Sequence, residues 1–366
     1  MLIARKNLRV GLDIGSHSIK LVEIDHTGKG MVLKNVGLIG LPPDAIVEGS
    51  IEAPEIIASR IRRLFKNLKV KQKNVASAVS GSSVIVKKIS VSYKNEMDLE
   101  NTIYNEAEQY IPFDVNEVRL DFEVLERSID MRRGFENGQG TDETEHLEIM
   151  LVAAKKDMVK DYVNLIQNAG LNPGVLDVDS FALQNAFEMN LAEKGKADAV
   201  CALVNVGAEE LGINVVHNGE SLFTRGSGFG GAQITETIMS RLTISYEEAE
   251  KVKLGGIVAE KDPDVLGKIF VSTVSAWVQE IKRAIDFVAG NYPHKMISKL
   301  VVCGGSCRIP GFQHFLQRET GLQVEELNPF RNLKVNEKMI DREYLDYIAP
   351  QAAVAAGLAL RSIDDK

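Results

Sequence analysis

Apolar and polar residues alternate in groups of three strands along this 366-residue chain, and the group occurs twice. Near the start, Arg9–Ile14, Ile19–Asp25 and Met31–Ile39 read as strands, with Thr27-Gly28-Lys29-Gly30 turning between the last two. Near the middle, Val200–Val206, Leu211–His217 and Ser221–Thr224 repeat the plan. The repeat holds in detail. LDIGSHSIKLVEIDHTG from Leu12 and VNVGAEELGINVVHNGE from Val204 each run strand, Gly-opened turn, strand, turn, and they place Asp13 and Asn205 at matching points 192 residues apart. Two such hairpins facing across a cleft would hold a phosphate chain, because a glycine permits the tight turn and the amides after it can point at anionic oxygens.

Helical periodicity follows each group. Pro54 opens a helix with Ile57, Ile61, Leu64, Phe65 and Leu68 near helical spacing and Arg60, Arg62, Arg63, Lys66 and Lys69 on its other face. That basic face reads as a solvated surface, an acidic partner being the alternative. Strands are expected at Val75–Val79, Ser83–Val91, Val118–Leu125 and Leu147–Ala154, and helices from Met97 to about Tyr110 (stopped by Pro112), over Asp157–Asn168 and over Asp179–Leu191. The polar stretch RSIDMRRGFENGQGTDETE reads as a surface loop, and Lys194-Gly195-Lys196 as the boundary between halves. Beyond it come a helix from Ala232, another over Glu247–Leu254, and a long one within Asp262–Asn291. The long helix carries Val271, Val274, Val278, Ile281, Ile285 and Val288 on one face, with Trp277 beside that stripe as core. A strand at Lys299–Val302, the run GGSCRIPG with a helix after it, and a last helix opened by Pro350 complete the pattern. It describes a duplicated α/β chain with a central cleft.

Composition narrows the function. A net charge of -8 argues against nucleic-acid binding as the main role. No apolar run reaches the roughly 18 residues of a membrane span, and the N-terminus lacks signal-peptide features. Cys201, Cys303 and Cys307 have no zinc-site spacing, the six histidines are scattered, and no nucleophile elbow is present. A reducing cytoplasm fits the cysteines best.

Three motifs carry candidate chemistry. Asp13-Ile14-Gly15-Ser16 pairs a phosphate-type turn with a carboxylate that can orient waters around Mg²⁺. Gly304 to Gly311 follows a strand and opens a helix, so its amides can face a polar ligand, and the planar guanidinium of Arg308 can stack on a base. Gly226 to Gly231 matches GxGxxG literally, but the acidic residue that a dinucleotide site requires after a second strand is missing.

In this order and combination, DIGSxSIK, the second hairpin, the paired glycines before a helix, Ala249 to Lys253 and GGSxRIPG resemble the actin-like ATPase superfamily. Within it, LRVGLDIGSHSIKLVEI, EAEQYIPFDVNEVRLDFEVL, LDVDSFALQNAF and SLFTRGSGFGGAQIT are similar to the PilM family of type IV pilus assembly, with FtsA the next relative. The amphipathic membrane helix that FtsA carries at its end is not expected here. The resemblance implies a duplicated ribonuclease-H-like fold with a central nucleotide cleft and an FtsA-type inserted subdomain. Its parts would be 1–83 (subdomain 1A), 84–163 (the inserted 1C), 164–195 (the rest of 1A), 196–345 (2A and 2B) and 346–366, a helix returning to the first half.

It also implies site residues for ATP/ADP and Mg²⁺. Asp13, Gly15, Ser16 and His17 would form the first phosphate loop, with Asp13 reaching Mg²⁺ through water. Asn205, Gly207 and Ala208 would form the second, followed by Gly230 and Gly231. Glu250 and Lys253 would meet the ribose and base edge, Gly304, Gly305, Ser306 and Arg308 would make the adenosine pocket, and Asp179 would position the attacking water. The second loop of the family opens with Asp where this chain has Asn205, so ATP binding with slow or absent hydrolysis is expected. The implied partner is the N-terminal tail of the inner-membrane protein PilN, docked in a groove walled by the inserted subdomain. Tyr110, Ile111 and Phe113 belong either to that groove or to a core. The implied setting is the cytoplasmic face of the inner membrane, among other pilus inner-membrane and motor components. An FtsA-like filament protein and a sugar kinase are the alternatives.

Overall fold

The computed structural model describes residues 9–28, 30–93, 99–130, 144–191, 199–256 and 263–362. The expected boundary at Lys194-Gly195-Lys196, the helix start at Met97 and most of the polar loop after Ser128 lie outside the described residues. In chain order the elements are β1 (Val10–Ile14), β2 (Ser18–Thr27), β3 (Gly30–Gly40), β4 (Ile46–Val47), β5 (Ser50–Ile51), α1 (Pro54–Leu68) and β6 (Asn74–Val79). Next come β7 (Val84–Tyr93), α2 (Leu99–Ala107), β8 (Val118–Asp130), β9 (Thr144–Lys155), α3 (Lys156–Asn168), β10 (Asn172–Val178) and α4 (Asp179–Glu188). The second half holds β11 (Val200–Val206), β12 (Leu211–His217), β13 (Glu220–Ser227), α5 (Gly231–Leu242), α6 (Tyr246–Lys253) and α7 (Pro263–Asn291). It ends with β14 (Ile297–Cys303), α8 (Phe312–Thr320), β15 (Gln323–Glu326), β16 (Lys334–Val335), α9 (Arg342–Ile348) and α10 (Ala353–Leu358).

The chain divides into two compact units: Met1–Ser82 with Tyr162–Lys366, and Ser83–Asp161. The larger unit contains one topology built twice. Its first sheet runs β10-β6-β1-β2-β3 with β16 added at the edge, and its second runs β15-β14-β11-β12-β13. In each, three antiparallel strands form a meander, a fourth strand pairs in parallel with the first of them, and a fifth pairs in parallel with the fourth. Parallel partners demand crossover helices. α1 supplies one in the first half, while α5, α6 and α7 supply one in the second.

The two sheets share a pair of helices. α4 packs against α10, and α10 in turn lies on β1 and β2. The approach is close enough to require glycine at both contacts. A Cβ on Gly11 would stand 2.0 Å from the Ala355 carbonyl oxygen, and one on Gly357 would stand 1.6 Å from that of Ala182. The run AVAAG in α10 is therefore a packing surface, since small side chains let two backbones meet.

Most of the expected core is found. Ile57, Ile61, Leu64 and Phe65 of α1 are buried, as are Val274, Val278, Ile281 and Val288 of α7, and Trp277 is buried edge-on against Phe312. Val271 departs from its expected place on the α7 stripe. It is exposed, because Ile269 and Phe270 take the inward positions of that turn. Pro350 also departs: it lies in the turn before α10, which begins at Ala353, and its carbonyl accepts the Gly304 amide at 2.9 Å. α9, capped by Asp341 through its bond from the Tyr344 amide at 2.7 Å, occupies the segment before it.

The smaller unit is a three-stranded antiparallel sheet in the order β7-β9-β8 with α2 on β7. Its core contains Ile89, Ile103, Leu147 and Ile149. Ile111 is buried there, and Tyr110 and Phe113 pack partly buried against it, with Lys155 Nζ 4.4 Å from the Phe113 ring centre. Ile111 is thus a core residue of this unit, and Tyr110 and Phe113 cover that core.

Candidate functional site

The site grows from two turns of identical construction. In the first, Ile14 pairs with Ile19, four residues intervene, and the Gly15 amide bonds the Ser18 carbonyl at 3.2 Å. In the second, Val206 pairs with Leu211, four residues intervene, and the Gly207 amide bonds the Glu210 carbonyl at 2.8 Å. Asp13 and Asn205 each occupy the pair just inside the turn, opposite Lys20 and Gly212 respectively. Ser16, His17 and Ser18 thus match Ala208, Glu209 and Glu210.

The third residue of each turn reaches into the other half. His17 Nδ1 lies 2.9 Å from the Tyr246 hydroxyl at the start of α6. Glu209 accepts the Glu48 amide at 3.0 Å. Glu210 goes further and accepts the Gly81 amide at 3.1 Å. Its carboxylate stands beside Gly226, where a Cβ would come within 2.5 Å of Oε1. Sequence reasoning assigned these two glutamates no role, although the 192-residue offset already places them on His17 and Ser18.

The charges divide unequally. Asp13 is paired with Lys20, Oδ2 to Nζ 3.2 Å. Asn205 has no cation opposite. Its Oδ1 lies 3.7 Å from Cys303 Sγ, and a Cβ added at Gly212 across the pair would stand 3.9 Å from Asp179 Oδ2. Burial pushes the Asp179 carboxyl well above the ordinary carboxylate range, and the carboxylates of Glu210 and Asp13 push the same way. Glu210 is raised as well, chiefly by burial, against hydrogen bonds from Ser80 and Gly81. His17 is lowered by burial first; Lys253 and Lys20 add to this and Glu250 opposes it.

The rest of the expected set surrounds the second turn. The Gly207 and Ala208 carbonyls accept the Gly231 and Ala232 amides at 3.0 and 2.8 Å, so the turn is stapled to the start of α5. Ser306 donates to the Gly207 carbonyl at 2.9 Å. A Cβ on Gly231 would fall 2.1 Å from Ser306 Oγ, and one on Gly230 would fall 2.1 Å from the Ala208 carbonyl. Ser245 caps α6 reciprocally with Glu248, which fixes the helix start and so the place of Tyr246. At the far end of α6, Lys253 is buried, bonds Glu250 at 2.6 Å and Thr235 at 3.0 Å, and its pKa is lowered by burial. Gly304, at φ 84°, lies against Val206 and Asn205, and Gly305 faces Gln351.

Arg308 is placed otherwise than a stacking residue would be. Its guanidinium holds Glu326 at 2.6 Å, donates to the Asp346 and Tyr347 carbonyls at 2.6 Å each, and lies over the Tyr347 ring. The segment Gly305–Arg308 is a 3-10 turn, and α8 starts only at Phe312. Among the described residues no group of three or more His, Cys, Asp or Glu side chains is arranged to hold a metal ion. Mg²⁺ held through water and phosphate oxygens does not need such a group, and Asp13 fits that role.

The family model described as "Type IV pilus assembly protein PilM" matches residues 11–363. The chain belongs to the PilM family. Its structure is similar to the solved "PilM-PilN type IV pilus biogenesis complex", with a TM-score of 0.82, 28% identity and coverage of 98% of this chain and 100% of that one. It is similar in fold to the ethanolamine utilization protein EutJ of Carboxydothermus hydrogenoformans, with a TM-score of 0.53, 16% identity and coverage of 98% and 93%. In sequence it is 22% identical over 367 residues to the cell division protein FtsA of Enterococcus hirae, covering 88% of this chain and 78% of that protein. The duplicated sheets of this PilM-family chain are accordingly an actin-like ATPase fold.

Proposed function

We propose that this PilM-family chain is an ATP-binding scaffold of type IV pilus assembly that binds the N-terminal tail of PilN at the cytoplasmic face of the inner membrane and turns ATP over slowly or not at all. One observation carries the nucleotide reading: two turns of the same length and closure, 192 residues apart, each reach into the opposite half. Gly15, Ser16 and His17 on one side and Gly207 and Ala208 on the other would cradle the phosphates. Glu250 and Lys253, already ordered by Thr235, would meet the ribose, and Gly304, Gly305 and Ser306 would line the adenosine pocket. Arg308, held by Glu326, braces that pocket from outside.

Mg²⁺, when bound, would neutralise phosphate charge. Asp13 would orient its waters, with Lys20 free to turn from Asp13 to a phosphate oxygen. Asn205 can accept or donate a hydrogen bond there but adds no charge, so one electrostatic anchor of phosphoryl transfer is missing. Asp179, at the first residue of α4, would position an attacking water.

The partner reading rests on family membership and the similarity to the PilM-PilN complex. Among the described residues no helix is long and apolar enough to cross a membrane. The test is titration of the purified chain with a peptide copying the PilN N-terminus, with and without Mg-ATP. Saturable binding that shifts with nucleotide supports the proposal. Failure to bind in both conditions overturns the partner assignment.

A further inference from the structure

We propose that the outer face of α1, with the segment that follows it, is a docking surface for an anionic lipid bilayer. Between Pro54 and Lys73 the chain has seven Lys or Arg residues and one Glu, in a protein of net charge -8. The fold sorts these charges onto one side. Ile57, Ala58, Ile61, Leu64 and Phe65 are turned into the core, while Arg62, Arg63, Lys66, Lys69, Lys71 and Lys73 are exposed. Among the described residues none of these six cations forms an ion pair, and Arg62 alone uses its side chain, donating to the Asn168 carbonyl at 2.7 Å. A protein this acidic has carboxylates to spare, so unpaired cations gathered on one helix leave a local positive field for a partner.

The chemistry of the face selects the partner. An outer helix face with six exposed cations suits a planar, diffuse negative surface. Its one aromatic residue, Phe65, is buried, so nothing is offered for stacking nucleic-acid bases. Its exposed Ile56, at 46%, lies on the first turn of α1, where it can enter the headgroup layer. This inference is independent of nucleotide and of PilN.

The test is cosedimentation of the full chain with vesicles of phosphatidylglycerol and phosphatidylcholine, beside vesicles of phosphatidylcholine alone. Binding to the anionic vesicles only is expected. It should fall when salt rises from about 0.1 M to about 1 M, which shortens the screening length from about 10 Å to about 3 Å. The triple variant Arg63→Glu, Lys66→Glu, Lys71→Glu removes three cations that make no side-chain bond, and each is worth about fivefold near an anionic surface. The partition constant should therefore drop by about a hundredfold or more with the thermal midpoint unchanged. If the variant proves unstable, Arg63→Lys should keep full binding and Arg63→Gln should lose about fivefold. Equal binding by wild type and variant, binding to neither vesicle, or retention of polyuridylate or polyglutamate without vesicle binding would each overturn the proposal.

Discussion

The two halves share a sheet order, a turn length and a turn-closing hydrogen bond, but they differ in what stands opposite the key residue. In the first half Asp13 faces Lys20; in the second Asn205 faces Gly212. Lys20 neutralises Asp13. Gly212 leaves room instead, and the Asp179 carboxylate is on that side, 3.9 Å from where a Cβ of residue 212 would stand. An aspartate at 205 would therefore join Asp179 and Glu210, both already raised above their ordinary pKa, without a cation to offset it. Duplication preserved the scaffold and not the charge. The strand before the first turn carries a paired carboxylate, while the second turn is held by its neighbours and has an uncharged amide in the matching place.

The rigidity side of that contrast should show the largest effects. Gly304 has φ 84° and a Cβ there would stand 2.4 Å from the Val206 carbonyl, so Gly304→Ala should cost about 3 kcal/mol in urea unfolding. Gly15→Ala meets the movable end of Lys20 at 3.0 Å and the Ser18 carbonyl at an ordinary contact distance of 3.4 Å, and should cost less than about 1 kcal/mol. Similar losses at both glycines would erase the distinction. On the charge side, Asp13→Asn should weaken Mg²⁺-dependent ATP affinity roughly tenfold to a hundredfold, as loss of an outer partner of a metal does. Asn205→Ala should leave the Mg²⁺ dependence nearly unchanged, and calorimetry with and without Mg²⁺ separates the two.

A smaller effect is expected from pH. The folded pKa of Asp179 lies above its ordinary value of 3.8, so the folded state loses stability as pH rises from that value through the raised one. Asp179→Asn removes this loss. Its melting temperature should match wild type below the ordinary carboxylate pKa and exceed it increasingly as pH rises, and a constant difference across that window would contradict the assignment. Smallest of all, His17→Ala removes one hydrogen bond between the halves and should cost about 1 kcal/mol.

Much of this contrast was legible in the sequence. Both strand triplets, both turns and the Asp-to-Asn difference follow from period-2 alternation broken by glycine. The two glutamates at 209 and 210 were readable from the same offset, but their roles were not, because the amides of Glu48 and Gly81 are 161 and 129 residues away. β10 escaped because Asn172-Pro173-Gly174 reads as a turn, and only parallel pairing with β6, with its bulge after Pro173, makes it a strand. Arg308 looked like a free planar cation since its partner Glu326 comes from β15, a four-residue strand with little periodicity of its own. Long-range partners of single side chains are what a linear pattern does not encode.

Calorimetric titration of ATP into wild type, Asp13→Asn and Asn205→Asp, each with and without Mg²⁺, tests the central claim most directly. The account predicts saturable binding by wild type, loss of the Mg²⁺ contribution in Asp13→Asn, and a larger Mg²⁺ contribution in Asn205→Asp. Absence of ATP binding by the wild-type chain, or equal Mg²⁺ dependence in all three proteins, would contradict it.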